Sequence, residues 1–267
     1  MAVIFNGAVK LYYYLNEEIA DHRTENWPLM RTPWPGLVII SLYLMTVLKW
    51  LPKYMENRSP FDLRKYIALY NAIQIVCCAY VVYQSMVLGW LNHYKLICQP
   101  LDDGPLDTEY AWKVCYAYFT IKLMDLLDTV FFVLRKKQNQ VSFLHVYHHF
   151  GMVAVSWSMV KWVPGGHTSM LVPINSFVHI IMYSYYLLTT WDDSYKKSLW
   201  WKKHVTQVQI IQFALLLLHF LLLMLVPECA FPRQPAYILI PQNLFMLILF
   251  SDFYYNTYIK TSANKNK

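Results

Sequence analysis

Apolar residues in this chain gather into long runs separated by short polar connections. Seven runs approach the ~20 residues that a helix needs to cross a bilayer core. They are Trp34–Leu51, Tyr66–Trp90, Ala111–Leu134, Phe143–Val160, Thr168–Thr190, His204–Val226 and Ala236–Tyr258, the first and fourth being short. A membrane barrel would instead show apolar–polar alternation in segments of roughly ten residues. That alternation is absent, so the runs predict helices. The expectation is an all-α integral membrane protein of seven transmembrane helices. An amino-terminal segment over residues 1–33 precedes the membrane domain of residues 34–258, and a basic tail of residues 259–267 follows it.

Composition agrees. Charged residues make up 15% of the 267 positions, against roughly 25% in a soluble globular chain. So few charges would not cover a soluble surface, and the apolar content excludes disorder. Seven glycines exclude Gly-rich sequence. The first thirty residues have no basic-then-apolar onset and contain Glu17, Glu18, Asp21 and Glu25, so no cleaved signal peptide is expected.

Charge then orients the spans. Basic residues after successive runs number 4, 1, 3, 1, 4, 1 and 3, and the amino-terminal segment has three bases against four acids. The excess of Lys and Arg on cytosolic loops places the amino terminus outside and the carboxyl terminus in the cytosol. Sorted this way, cytosolic segments hold 14 bases and 4 acids, outer segments 6 and 9, and the spans 3 and 3. The net +7 is thus a dipole of charge across the membrane, positive towards the cytosol. It fits lipid and topology signals, or an anionic substrate held at that face. The bases fall in short separate clusters, which argues against nucleic acid. Cys77 and Cys78 read as packing. Cys98 and Cys229 both fall in outer connections, where disulfides can form. Two unpaired thiols or a bridge are the alternatives, and the prediction is a Cys98–Cys229 bridge. Asn57-Arg58-Ser59 is a formal glycosylation triplet, discounted because it faces the cytosol and Pro60 follows.

Ionisable side chains at bilayer depth cost about 2.5–3.5 kcal/mol and point to function. Lys122, Asp125, Asp128 and Thr129 lie on one stripe of the third run, with Lys122 able to pair with Asp125 at i,i+3. The fourth run opens Phe143-Leu144-His145-Val146-Tyr147-His148-His149, stacking His145 and His149 on one face with His148 beside them. The fifth run presents Asn175, His179, Met182, Tyr183 and Tyr186 on one face, and the sixth begins with His204, Thr206, Gln209 and Gln212. Amides and hydroxyls in lipid can also be glue between helices. Together the stripes predict one buried, hydrated chamber opening towards the cytosol.

Two chemistries compete for the histidines: metal ligation, or nucleophilic and acid–base work by imidazole. The spacing HxxHH occurs in membrane di-iron desaturases and hydroxylases, whose sites use many more ligands. The chain has nine histidines, with no second HxxHH or HxxxH, so a di-iron centre is disfavoured. A mononuclear site from His145, His149 and His179 stays open.

Lys122-x-x-Asp125-x-x-Asp128-Thr129, the run from Val130 to Lys137, and His145-Val-Tyr-His-His149 resemble the fatty acid elongase family, the membrane 3-ketoacyl-CoA synthases of very-long-chain fatty acid synthesis. Asn175-x-x-x-His179-x-x-Met182-Tyr183-x-Tyr185-Tyr186 and Thr206-x-x-Gln209-x-x-Gln212 match its later motifs in order and spacing. The likeness covers roughly residues 30–260. The family pattern has Glu where this chain has Asp125, one methylene shorter.

The resemblance implies a seven-helix catalytic domain, six of whose helices form an inverted barrel around an acyl tunnel. It implies condensation of long-chain acyl-CoA with malonyl-CoA to a 3-ketoacyl-CoA, CO2 and CoA. By analogy His148 would attack the thioester and carry the acyl group as an acyl-imidazole, since neutral imidazole is nucleophilic. His145, His149 and His179 would orient it, move protons and stabilise the enolate. Asn175, Tyr183, Gln209 and Gln212 would support the reacting groups. Asp125 and Asp128 would set imidazole tautomers, with Lys122 balancing their charge. Arg135, Lys136, Lys137, Lys202 and Lys203 would take the CoA phosphates. No metal, NADPH or other cofactor is implied, acyl-CoA and malonyl-CoA being substrates. Membrane lipid, a ketoacyl-CoA reductase, other elongation-cycle enzymes and a second copy of the chain are the expected partners. Endoplasmic reticulum residence follows from the resemblance, since Lys265 and Lys267 do not form a clean paired-lysine retrieval signal.

The rival readings are a histidine-box metalloenzyme and a seven-span receptor. A receptor has no evident use for clustered histidines and buried acids, and neither DRY nor NPxxY occurs. A transporter would more often show internal repeats, and none is found.

Overall fold

Long apolar runs satisfy their backbone polar groups internally only as helices, and helix is the regular structure formed among the described residues, 2–101 and 105–260 of a computed structural model. Asp102, Asp103, Lys265 and Lys267, counted above in the charge pattern, lie outside the described residues. The helices are α1 (Ala2–Tyr13), α2 (Trp34–Met45), α3 (Leu51–Met55), α4 (Arg64–Ser85), α5 (Pro105–Leu134), α6 (Phe143–Trp162), α7 (Leu171–Trp191), α8 (Asp193–Lys197), α9 (Leu199–Met224) and α10 (Gln234–Tyr254).

Among the described residues, five stretches are long and apolar enough to cross a membrane: Trp34–Met55, Arg64–Ser85, Gly166–Trp191, Leu199–Met224 and Gln234–Lys260. The chain is therefore a multi-span membrane protein. Exposed apolar stripes fit this, Leu69, Val76, Tyr80 and Tyr83 on α4 and Ile211, Leu215, Leu218 and Leu221 on α9, since lipid covers them at no desolvation cost. The other two predicted runs form α5 and α6 but fall short of that apolarity. Lys122, Asp125 and Asp128 interrupt α5, and three histidines open α6.

Boundaries differ from the apolar pattern in instructive places. The first run continues through a π-helical turn, Thr46–Trp50, into α3. Pro52 cannot donate to the preceding turn, and the wider turn absorbs that lost bond. α5 begins at Pro105 rather than Ala111. Proline suits a first turn, where its missing N–H costs no helix hydrogen bond. α9 starts at Leu199, ahead of His204.

The chain divides into two compact units, Met1–Pro60 with Ala111–Gly165, and Phe61–Tyr110 with Gly166–Lys267. In the first, the amino-terminal segment finishes the end of α6. Thr24 Oγ1 donates to Val160 O at 2.9 Å and Asp21 N to Lys161 O at 2.8 Å, satisfying carbonyls that a helix end leaves open. Trp157 Nε1 and Trp162 Nε1 reach Leu29 O and Leu15 O, both at 2.8 Å. The buried Lys161 ammonium donates to Arg31 O.

In the second unit α4 packs along α7, α7 along α9, and α9 along α10. Cys98 and Cys229 are joined by a disulfide spanning 131 residues, with Cα atoms 5.8 Å apart. Gly166 turns the chain beside it at φ 55°, where a Cβ would sit 2.7 Å from the Phe231 ring and 2.9 Å from Pro100 O. Only glycine fits there.

Candidate active site

α6 starts on a conventional cap. Ser142 is extended, and its side chain accepts from His145 N at 3.2 Å, satisfying one free amide of the first turn. This fixes the helix start beneath the three histidines. The His145 and His149 ring centroids lie 4.1 Å apart, and His148 meets His149 edge-on at 5.6 Å. His149 is buried, while His145 and His148 are half-buried. The predicted cluster is therefore one group of neighbouring imidazoles.

α5 supplies the groups beside it in the same unit. Lys122 Nζ donates to Asp125 Oδ2 at 2.8 Å, with both side chains almost fully buried. The Tyr118 ring lies 4.9 Å from the same ammonium, adding cation–π attraction in a site without bulk water. One turn on, Thr129 Oγ1 lies 3.0 Å from His145 Nε2. Asp128 is buried on the same stripe. The single methylene of Asp125 is thus long enough to engage Lys122.

The second unit gathers a different set. Asn175 Nδ2 donates to Gln212 Oε1 at 3.2 Å, and Gln209 Nε2 points at Met182 Sδ at 3.7 Å. His179 lies edge-on to Tyr183, with ring centroids 5.6 Å apart. The Tyr183 hydroxyl meets that of Tyr70 at 3.3 Å, and Gln74 Nε2 donates to Tyr70 at 2.9 Å. Asn175, His179, Tyr183 and Gln212 are all buried. Two residues of the predicted stripe serve their own helix: Thr206 Oγ1 donates to Lys202 O, and His204 Nδ1 bonds Trp200 O.

The basic residues are less buried. Lys136 and Lys137 are exposed and Arg135 half-buried at the end of α5. Lys136 adopts the left-handed conformation, φ 54°, and Lys137 N closes the helix by reaching Phe132 O at 2.8 Å. Lys202 is exposed, and Lys203 lies 6.0 Å from the Tyr254 ring. Among the described residues no three His, Cys, Asp or Glu side chains are arranged to hold a metal ion.

A family model described as the GNS1/SUR4 family matches residues 28–266. The chain belongs to the GNS1/SUR4 family. Similar relatives agree across nearly its full length. Very long chain fatty acid elongase 4 of Homo sapiens is 41% identical over 263 residues, covering 97% of this chain and 82% of the relative. Very long chain fatty acid elongase 7 of Drosophila melanogaster is 41% identical over 249 residues, 92% and 75% of the two chains. Very long chain fatty acid elongase 2 of Mus musculus is 40% identical over 247 residues, 92% and 83%.

In this member of the GNS1/SUR4 family, motif reading missed three contributors. Tyr43 reaches Thr129 Oγ1 at 2.7 Å, while Tyr70 and Gln74 extend the Tyr183 network. The available signal was polar atoms inside apolar runs: Tyr70, Asn71 and Gln74 lie within five residues of a membrane helix. Tyrosine, present 22 times, does not stand out by type.

Proposed function

We propose that this chain is the condensing acyltransferase of fatty acid elongation, a 3-ketoacyl-CoA synthase acting on long-chain acyl-CoA and malonyl-CoA. The observation that carries the reading is the histidine cluster of α6, beside a buried Lys122–Asp125 pair, in a chain about 40% identical to named very long chain fatty acid elongases. Membrane histidines in contact with one another are costly unless their lone pairs and protons are used.

In the proposed reaction a neutral His148 nitrogen attacks the acyl thioester carbonyl. The C–S bond breaks, CoA leaves as thiolate and takes up a proton, and the acyl group stays on the imidazole. Malonyl-CoA then loses CO2, leaving the electron pair of the broken C–C bond as an enolate. That carbon attacks the acyl carbonyl, the C–N bond to His148 breaks as the departing nitrogen takes up a proton from solvent, and 3-ketoacyl-CoA is released with His148 neutral again. His145 and His149 are proposed to orient His148 and move its proton. His179, Asn175, Tyr183, Gln209 and Gln212 are proposed to steady the malonyl thioester and the developing oxyanions. Arg135, Lys136, Lys137, Lys202 and Lys203 are proposed to bind CoA phosphates.

The bridge between Cys98 and Cys229 supports an oxidising side for their two connections, and with it the assignment to the endoplasmic reticulum with a cytosolic carboxyl terminus. The reductase that consumes the 3-ketoacyl-CoA is the proposed partner.

The test is one assay. Purified protein is incubated with radiolabelled malonyl-CoA and a series of acyl-CoAs, with and without chelator. Labelled 3-ketoacyl product from wild type, lost in His148→Ala and insensitive to chelator, is expected. No product at any chain length rejects condensation. Loss with chelator and recovery with iron or zinc favours the histidine-box metalloenzyme.

A further inference from the structure

We infer that Tyr43, on the first membrane helix, is a positioning residue that acts through Thr129 to hold His145 as the tautomer with its proton on Nδ1. The inference rests on the proposed use of the α6 histidines in condensation.

Three groups form a chain across α2, α5 and α6. Tyr43 Oη lies 2.7 Å from Thr129 Oγ1, and Thr129 Oγ1 lies 3.0 Å from His145 Nε2. Tyr43 is 6% exposed and Thr129 0%, so water does not offer either hydroxyl another partner. Each hydroxyl has one proton to give and lone pairs to receive. Among the described residues, Tyr43 bonds only Thr129.

Two directions of donation are formally available. In the first, His145 Nε2–H donates to Thr129, which donates to Tyr43; the phenolic O–H is then buried without an acceptor, an expensive state in an apolar surround. In the second, Tyr43 donates to Thr129 and Thr129 donates to the Nε2 lone pair. The phenolic proton and the Thr129 proton then both have acceptors. The second direction wins, and it puts the imidazole proton on Nδ1.

Two consequences follow for the reaction. Nε2 of His145 is occupied by the Thr129 hydroxyl and is unavailable as a nucleophile, in keeping with the role proposed for His148. The ring is also pinned from one side while it packs 4.1 Å from His149, so its orientation is fixed. Supporting hydrogen bonds of this kind, one shell removed from the chemistry, are commonly worth 10–100-fold at metal-ligating histidines.

The test compares Tyr43→Phe, Thr129→Val and Thr129→Ser with wild type in the condensation assay, with thermal midpoints measured on the same detergent-solubilised preparations. The expected result is kcat lowered about 3–10-fold in Tyr43→Phe and about 10–100-fold in Thr129→Val, with KM for both thioesters unchanged. Thr129→Ser keeps the hydroxyl and should stay within about threefold of wild type. Active wild type with Tyr43→Phe at wild-type kcat overturns the relay. So does a loss carried in KM, or a Thr129→Ser defect as deep as that of Thr129→Val. If Thr129→Val is unfolded, Tyr43→Phe and Thr129→Ser still decide. Wild type without product would defeat the condensation reading instead, and is distinguishable from all of these.

Discussion

The two compact units solve the same problem, burying polar groups inside a membrane protein, with different chemistry. The Ala111–Gly165 half of the first unit accepts full charges: Lys122 and Asp125 face each other at 2.8 Å, and three histidines open the neighbouring helix. Among its described residues only the run Trp34–Met55 is apolar enough to qualify as a span. Among the described residues the second unit holds four qualifying spans and pairs several of its buried polar groups with neutral partners. Asn175 pairs with Gln212, Tyr70 with Tyr183, and His167 with His219. A buried charge is costly without a compensating partner, and Lys122 and Asp125 supply one to each other. Neutral networks give position and specificity at lower cost.

The largest expected effect breaks the charged side of this contrast. Lys122→Ala or Asp125→Ala strands a buried partner, and should cost about 3–5 kcal/mol. The double replacement Lys122→Met with Asp125→Leu should recover much of that. Thermal unfolding in detergent, arranged as a double-mutant cycle, measures it; strictly additive losses would show that the two charges do not depend on each other.

The neutral side should break more gently. His167 and His219 stack with centroids 3.7 Å apart at 9°, and each ring Nε2 meets the other's backbone carbonyl, at 3.1 and 3.0 Å. Removing either ring leaves a buried carbonyl without its donor, so His167→Phe and His219→Phe should each cost about 1–3 kcal/mol. The double variant should lose less than the sum. Unchanged midpoints would mean that the clasp contributes nothing to the unit.

Smallest is the cap that starts the histidine helix. Ser142→Ala should lower stability by about 1 kcal/mol, and Ser142→Asp should restore it. A loss in Ser142→Asp equal to that in Ser142→Ala would remove the hydroxyl–amide bond from the account.

Much of this was legible in sequence because it is local. The apolar runs place the helices, the i,i+3 spacing puts Lys122 against Asp125, and the i,i+4 spacing stacks His145 on His149. The start of α5 was partly hidden: its acidic first turn resembles a loop by composition, although Pro105 and the acids that follow favour a helix start. What stayed illegible depends on contacts between distant segments. Tyr43 lies 86 residues from Thr129, and His167 lies 52 from His219. No spacing rule links them, and a tyrosine in an apolar run looks the same whether it faces lipid or a buried hydroxyl. Cys98 and Cys229 are the exception among distant pairs, because charge topology placed both on one side.

The central claim is that His148 carries the acyl group. The most direct measurement is the intact mass of purified protein mixed with long-chain acyl-CoA in the absence of malonyl-CoA, followed by peptide mapping. The account predicts a single acyl adduct on the peptide containing His148, absent from His148→Ala and discharged when malonyl-CoA is added. An active enzyme whose adduct maps to another residue, or whose His148→Ala variant still condenses at the wild-type rate, would contradict it.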